Sequence, residues 1–340
     1  MRADANLPSD YKEKALSINK GTFCQWAKEL GFAQTAFCSA EPFLTEKNRV
    51  EAQEPLAERR QLRYFPLEDE PKGKSLAVML FPYSPAKLPQ GEALFVDSYY
   101  QASNAAYHAA KKLEERLCEA GCFAKANVSY PAKAAAVRAG MGWIGKNDLL
   151  CTKQYGTRVV IILMLTDLES DESRNDKSAA PEGCLNCGLC AKVCPSGALD
   201  ERGMSHPQRC MRNFMMEGVV VPEHLRERMG MRLIGCDLCQ RVCPMQPELI
   251  ERENGYYELS RFMTEEQSEF SEAVSGLAEE IGRNTARPQR VRAQAALLAG
   301  NSGNATYLPV LRQWMQSPFE AVKEHAQWAI ERLVLIHTKE

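Results

Sequence analysis

Eight of the 13 cysteines in this 340-residue chain fall between Cys184 and Cys243. Cys184-x2-Cys187-x2-Cys190-x3-Cys194-Pro195 is the bacterial ferredoxin spacing. In that spacing three thiolates converge from one tight loop onto three corners of an iron-sulfur cubane, and the fourth points to a different cluster. A second half follows as Cys236-x2-Cys239-x3-Cys243-Pro244; it lacks a cysteine at position 233, which is leucine, and Cys210 can fill the place. The crossed rule then assigns one [4Fe-4S] cluster to Cys184, Cys187, Cys190 and Cys243, and another to Cys194, Cys210, Cys236 and Cys239. Two structural zinc sites are the alternative use of eight thiolates, although zinc ribbons show pairs of C-x2-C knuckles rather than this run. Stoichiometric zinc and no brown colour in the purified protein would mark them. Cys24, Cys38, Cys118, Cys122 and Cys151 have no ligand spacing and are expected as buried apolar side chains.

Clusters accept and pass on electrons without naming what is reduced. A second candidate site is Arg138-Ala-Gly-Met-Gly-Trp-Ile-Gly-Lys-Asn147, followed by Tyr155-Gly156. Gly140, Gly142 and Gly145 allow backbone to approach a large ligand, and Lys146 and Asn147 offer donors for amides or phosphate. A glycine-rich structural turn is the plainer reading of the same residues.

The elements that must carry these groups are legible in outline. Gly21 to Gly31 reads as an amphipathic helix, with a strand-like stretch around Phe32 to Cys38. Ser75 to Phe81 and Val159 to Thr166 are compact apolar runs of buried-strand type. Ala106, Ala110, Leu113 and Leu117 mark one face of a helix over 102–120. Strands alternating with helices argue an α+β or α/β first domain over 1–170. The polar stretch from Leu168 to Gly183 reads as a linker or loop. A cluster-binding domain over 171–255 follows, then a helical domain over 256–340. In that tail Val291, Ala295 and Leu298 define one helix, with a stop expected at Gly300 to Gly303. A second helix enters near Pro309, and a third carries Val322, Ala326, Ala329 and Leu333, the pattern of a HEAT-like repeat.

Composition narrows the class. Hydrophobic residues at 45% and charged residues at 25% exclude disordered and fibrous chains. Cysteines clustered within a long chain argue against a disulfide scaffold and for a reducing compartment. The first 21 residues lack an apolar core segment, and the longest apolar run, Val159 to Leu165, is far too short to span a membrane. A soluble cytoplasmic protein is expected. The formal charge of −2 gives no global electrostatic argument for nucleic acid, yet residues 283–340 carry eight Lys or Arg against four Asp or Glu. Arg287, Arg290 and Arg292 form a candidate phosphate-contacting cluster there, with a solvated helix face as the bland alternative. His325 and Trp328 read as packing within the repeat.

Read in order, R-A-G-M-G-W-I-G-K-N, C-L-N-C-G-L-C-A-K-V-C-P-S-G-A-L, R-C-M-R-N-F, I-G-C-D-L-C-Q-R-V-C-P and L-A-G-N-S-G-N resemble the epoxyqueuosine reductase family, over roughly residues 75 to 335. The resemblance implies a nitroreductase-like cobalamin-binding domain, a two-cluster ferredoxin-like module and a C-terminal HEAT-like repeat. It implies reduction of epoxyqueuosine to queuosine in the tRNA anticodon loop, with electrons from an external ferredoxin or flavodoxin passing through both clusters to cobalt. A monomer is expected on the same ground. The cluster that includes Cys236 and Cys239 is implied to be the one nearer cobalt, with Asp237 beside the corrin. Gly142, Trp143, Lys146 and Asn147 are implied near the cobalamin, as are Tyr107 and His108, although Ala106 stands where the family usually has aspartate. Reductive dehalogenases share the first two parts and lack the tail.

The sequence departs from the family at the proton donor. An aspartate after a valine is expected about twelve residues before the arginine of R-A-G; Val128-Ser129 stands there instead, nine residues before Arg138, with no carboxylate between Val128 and Arg138. Losing the epoxide oxygen as water needs an acid, and a serine hydroxyl is a poor one. Tyr130 is the expected replacement, with ordinary packing beside Pro131 as the alternative. The lost aspartate leaves room for a different small-molecule substrate with the same cofactors, and a two-cluster electron carrier without catalysis is the third reading.

Overall fold

The computed structural model describes residues 18–51, 73–171, 183–200, 206–248, 250–252 and 257–338. Much of the stretch expected as a linker, residues 172–182, lies outside the described residues. In chain order the first part holds α1 (Lys20–Glu29), β1 (Gln34–Ser39), α2 (Leu44–Glu51), β2 (Ser75–Pro82), β3 (Ala93–Val96), α3 (Ser98–Glu119), β4 (Ala124–Ala126), α4 (Ala132–Arg138), β5 (Trp143–Ile144), β6 (Leu150–Cys151) and β7 (Val159–Thr166). The cysteine-rich part holds α5 (Leu189–Val193), α6 (Met211–Glu217), α7 (Glu223–Arg226), β8 (Arg232–Ile234) and α8 (Leu238–Arg241). After β9 (Tyr257–Glu258) come α9 (Gln267–Ile281), α10 (Pro288–Ser302), α11 (Leu308–Trp314) and α12 (Glu320–His337). The fold is mixed α/β. No helix among the described residues is long and apolar enough to cross a membrane.

The chain divides into two compact units. The first comprises Met1–Phe81, Ala105–Gly142 and Val160–Pro181. Its sheet has the order β1-β2-β7-β4, with β1 antiparallel to β2 from Gln34↔Leu80 to Ser39↔Ser75 and β4 antiparallel to β7. Leu76 to Leu80 are all fully buried, the uninterrupted burial expected of a strand covered on both faces rather than one alternating with solvent. The Asn19 side chain caps α1 by accepting the Thr22 N–H at 2.9 Å, and Phe23 packs edge-on against Phe37. In α3 the expected stripe Ala106, Ala110, Leu113 and Leu117 is fully buried.

The second unit comprises Pro82–Asn104, Trp143–Val159 and Glu182–Glu340. It contains the sheet β8-β3-β9, in which β3 runs parallel to β8 and antiparallel to β9. The tail helices join its core, with α12 packed along α10 and α11. The stop expected at Gly300 to Gly303 is found there: α10 runs to Ser302 and ends at Gly303 with φ +73°, which places Gly300 inside its last turn. Gly300 has a different task. A Cβ there would meet Trp328 Cζ3 at 2.8 Å and Ala329 Cα at 2.9 Å, so the missing side chain lets α12 lie directly on α10. His325 is buried between them. Its Nε2 accepts the Val221 N–H at 2.9 Å, which leaves Nδ1 to donate to Ala293 O at 2.8 Å.

Candidate functional site

The two halves of the cysteine motif fold alike. Each places one cysteine on a short helix, Cys190 on α5 and Cys239 on α8, and another just past the helix end, Cys194 and Cys243. α5 packs against α8. The thiols fall into two neighbourhoods. Cys184, Cys187, Cys190 and Cys243 line one cavity, and the charges of Cys184 and Cys187 act on both Cys190 and Cys243. In the second, Cys236 lies within electrostatic reach of Cys210, and Cys239 within reach of Cys236, Cys210, Cys194 and, from the first set, Cys190. Each terminal cysteine thus stands with the other half's thiols.

Position 233 is the fully buried middle of β8, hydrogen-bonded in the sheet beside β3, so a ligand there would cost a core residue. Cys210, immediately before α6, stands with the second set instead, its sulfur facing the backbone N–H groups of Arg212 and Asn213. Such donors recur. Cys243 faces the Met245 N–H and Cys236 the Leu238 N–H. Burial pushes the Cys194 thiol up, but the Ser196 hydroxyl and the N–H groups of Leu199, Ser196 and Ala198 outweigh it, so the thiolate is favoured. Among the described residues no three His, Cys, Asp or Glu side chains stand close enough to hold a single metal ion. Eight thiols in two neighbouring sets, with N–H groups aimed at their sulfurs, fit a pair of multi-iron clusters better than a pair of zinc ions.

The glycine-rich motif leads into this site. Trp143, Lys146 and Asn147 line the cavity of Cys184, Cys187, Cys190 and Cys243. Cys151, paired with Trp143 across the β5-β6 hairpin, lines it too; burial and then the charges of Cys243 and Cys184 push its thiol up to about 12. Cys38 and Cys122 are buried as expected, whereas Cys24 is half-buried and Cys118 exposed. Ligand spacing had no means of marking Cys151, whose place is set by a hairpin far along the chain.

Beside the second set lies a buried ion network. Asp237 is 1% exposed; its carboxylate meets Arg158 at 3.3 Å and Arg241 at 2.8 Å, and Arg241 also holds Glu251 at 2.6 Å and donates to Ala86 O. Burial, then the charge of Asp237, pushes the Asp97 carboxyl up to about 6, while Tyr99 N–H donates to it at 3.0 Å. Gly235 sits over Asp97, with φ +89° and only 2.4 Å from a built Cβ to Asp97 Cβ, so the residue before Cys236 has to be glycine. The Asp237 carboxylate is therefore spent on ion pairs. Sequence reading missed Arg158 and Asp97; the available signal was a charge abutting an apolar run, Arg158 before Val159 and Asp97 after Val96.

In the first unit Tyr130 is buried and lies edge-on to Phe43 at 6.4 Å, while Ser129 is exposed. Arg138 lies 3.4 Å over the same Phe43 ring and donates to Ser39 O and Glu41 O, which ties α4 to the segment that carries Phe43. Gly142 is half-buried at the end of this unit. Tyr107 and His108 are exposed on α3, their rings 5.3 Å apart. In the tail Arg287 is exposed at the start of α10. Arg290 is half-buried over Gly218 and donates to Asn284 O at 2.9 Å. Arg292 lies 4.2 Å over the Phe270 ring and donates to Gln267 at 2.6 Å, so its guanidinium is engaged in packing.

Comparison with known proteins agrees with this arrangement. Residues 183–246 match the family model of a 4Fe-4S double cluster binding domain. The epoxyqueuosine reductase of Lactococcus garvieae is 30% identical over 211 residues, which is 59% of this chain and 58% of that protein; the chain thus matches somewhat over half the length of this curated relative. Among solved structures, a selenomethionine-labelled epoxyqueuosine reductase has a TM-score of 0.72 at 24% identity, with 94% of each chain covered. An epoxyqueuosine reductase with a tRNA-Tyr epoxyqueuosine-modified stem loop has a TM-score of 0.69 at 24% identity, covering 92% of this chain and 90% of the other. In sequence over the matched part, and in fold over nearly its whole length, the chain is similar to epoxyqueuosine reductases.

Proposed function

We propose that the chain is a cobalamin- and iron-sulfur-dependent oxidoreductase that reduces epoxyqueuosine to queuosine in tRNA. The observation that carries this reading is the pair of crossed thiol sets within a fold like that of epoxyqueuosine reductases. Cys184, Cys187, Cys190 and Cys243 would hold one [4Fe-4S] cluster and Cys194, Cys210, Cys236 and Cys239 the other. The packing of α5 on α8 supports electron passage between them. In architecture we assign a nitroreductase-like cobalamin domain, a ferredoxin-like module and a HEAT-like helical tail.

Cobalamin, when bound, supplies a strongly reducing metal centre. Its rim of amides and its phosphate call for hydrogen-bond donors and open backbone; we assign to it exposed Tyr107 and His108, half-buried Lys146 and half-buried Gly142. Asp237 serves differently: through Arg158 and Arg241 it stiffens the turn that presents Cys236. Converting an epoxide to an alkene takes two electrons and two protons and releases water. We assign the acid to Tyr130, whose phenol stands where the chain has no carboxylate, with exposed Ser129 shaping the loop beside it. Arg287 and Arg290 are the candidate phosphate contacts for the tRNA. A ferredoxin or flavodoxin would supply electrons to a monomeric enzyme in the cytoplasm, the reducing compartment that thiolate-held clusters need.

Anaerobic reconstitution with cobalamin tests the reading. A corrin spectrum that co-elutes with the protein, and loss of epoxyqueuosine from tRNA on adding reductant, is the expected result. Corrin binding without turnover of the tRNA would select a different substrate, and no corrin binding would overturn the mechanism.

A further inference from the structure

Two hydrogen-bond donors at the first thiol set have nothing to donate to. Trp143 and Asn147 are 7% and 8% exposed and line the cavity formed with Cys184, Cys187, Cys190 and Cys243. Neither Trp143 Nε1 nor Asn147 Nδ2 has a partner among the described residues. The Asn147 amide is held by its other end: Oδ1 accepts the Leu149 N–H at 3.3 Å, which leaves the nitrogen as the unused group. Trp143 is held through its strand, opposite Cys151 in the β5-β6 pair. A buried N–H without an acceptor is a standing cost, and native proteins keep one chiefly where something else occupies the site. The other side chains at this cavity are a lysine, a threonine, a methionine and thiols. Sulfur is the acceptor that these side chains chiefly offer.

We propose that Trp143 Nε1 and Asn147 Nδ2 donate hydrogen bonds to the sulfur atoms of the cluster held by Cys184, Cys187, Cys190 and Cys243, and so raise its reduction potential. This rests on the reading that those four thiolates hold a [4Fe-4S] cluster. A reduced cluster carries one more negative charge than an oxidised one, and its sulfurs are better acceptors, so each N–H stabilises the reduced state more. Both are positioning residues of electron transfer. Their effect is to make this cluster easier to reduce than it would be without them, and they act at its cavity, which no residue of the second set lines.

The test is an anaerobic redox titration followed by electron paramagnetic resonance on full-length protein containing both clusters, comparing wild type with Trp143→Phe, Asn147→Ala and the double variant. One of the two couples is expected to move to a more negative potential in each single variant and further in the double, while the other stays in place. Unmoved potentials in proteins with full iron and sulfide content would overturn the donor assignment and leave the cluster reading intact. Zinc in place of iron in the wild type would overturn both. Should a variant lose its cluster, wild-type protein labelled with 15N at the tryptophan indole decides: weak 15N coupling to the reduced cluster supports the bond, and its absence removes Trp143.

Discussion

His325 gives the tail a pH limit whose size follows from its surroundings. Burial, with the nearby Arg226 charge, pulls this imidazole down to about 4 although the Ala293 carbonyl favours its proton. The hydrogen bonds require the neutral ring, since Nε2 accepts from Val221 and a protonated ring has no acceptor. In the unfolded chain the same ring titrates near its ordinary 6.5, so the unfolded state binds the extra proton first. The stabilisation is therefore fully present above about pH 6.5, declines as pH falls below it, and is gone near about pH 4. For these two values the loss between about pH 7.5 and about pH 5 is about 2 kcal/mol, or about 30-fold in the opening equilibrium. Anaerobic hydrogen exchange, corrected for intrinsic rates, should show Val221 protection dropping by about that factor across the range. The His325→Gln variant should start less protected and show little further dependence on pH. Equal Val221 protection at both pH values, or a His325 resonance titrating near 6.5 in the folded protein, would refute the argument.

Other consequences are testable singly. Cys210→Ala should leave about four irons per chain where the wild type holds about eight, and iron content unchanged by the substitution would remove Cys210 from the ligand set. Tyr130→Phe should slow turnover by about 10²- to 10⁴-fold with corrin binding retained, and undiminished turnover would withdraw the phenol as acid. Gly300→Val should destabilise the tail by about 1–3 kcal/mol, seen as a lower thermal midpoint, because its side chain would collide with Trp328 and Ala329. Arg287→Glu should weaken binding of a tRNA stem loop and flatten its dependence on salt, whereas a salt slope equal to that of the wild type would mean that Arg287 touches no phosphate.

Much of the scaffold was legible because burial leaves periodic traces. β7 spans the apolar run read from sequence, and the α3 stripe is buried residue for residue. The thiol sets were legible because tight-loop chemistry imposes short spacings. What escaped depends on contacts between distant segments. At Gly300 the sequence shows the missing side chain but not the Trp328 ring that needs the space. Arg292 was read with its neighbours as a phosphate contact, and only the fold brings Phe270 beneath it. Cys151 joins the cluster cavity through a hairpin, which no local spacing announces.

The exchange of terminal cysteines between α5 and α8 has a mechanical meaning. With Cys194 among the thiols of the second half and Cys243 among those of the first, inorganic cores on both sets would fasten the two short helices at two points. The chain between α5 and α8, which includes α6, α7 and β8, then becomes a closed loop: one core ties Cys194 to Cys236 and the other ties Cys190 to Cys243, so its ends stay together while either core is intact. Iron assembly would thus act as a latch on β8 and on the tail helices that share its core, and removing one cluster would leave the loop tied by the other. Loss of both should be needed to release it, so oxidative damage is expected to unfold this part of the protein in two steps, the first nearly silent.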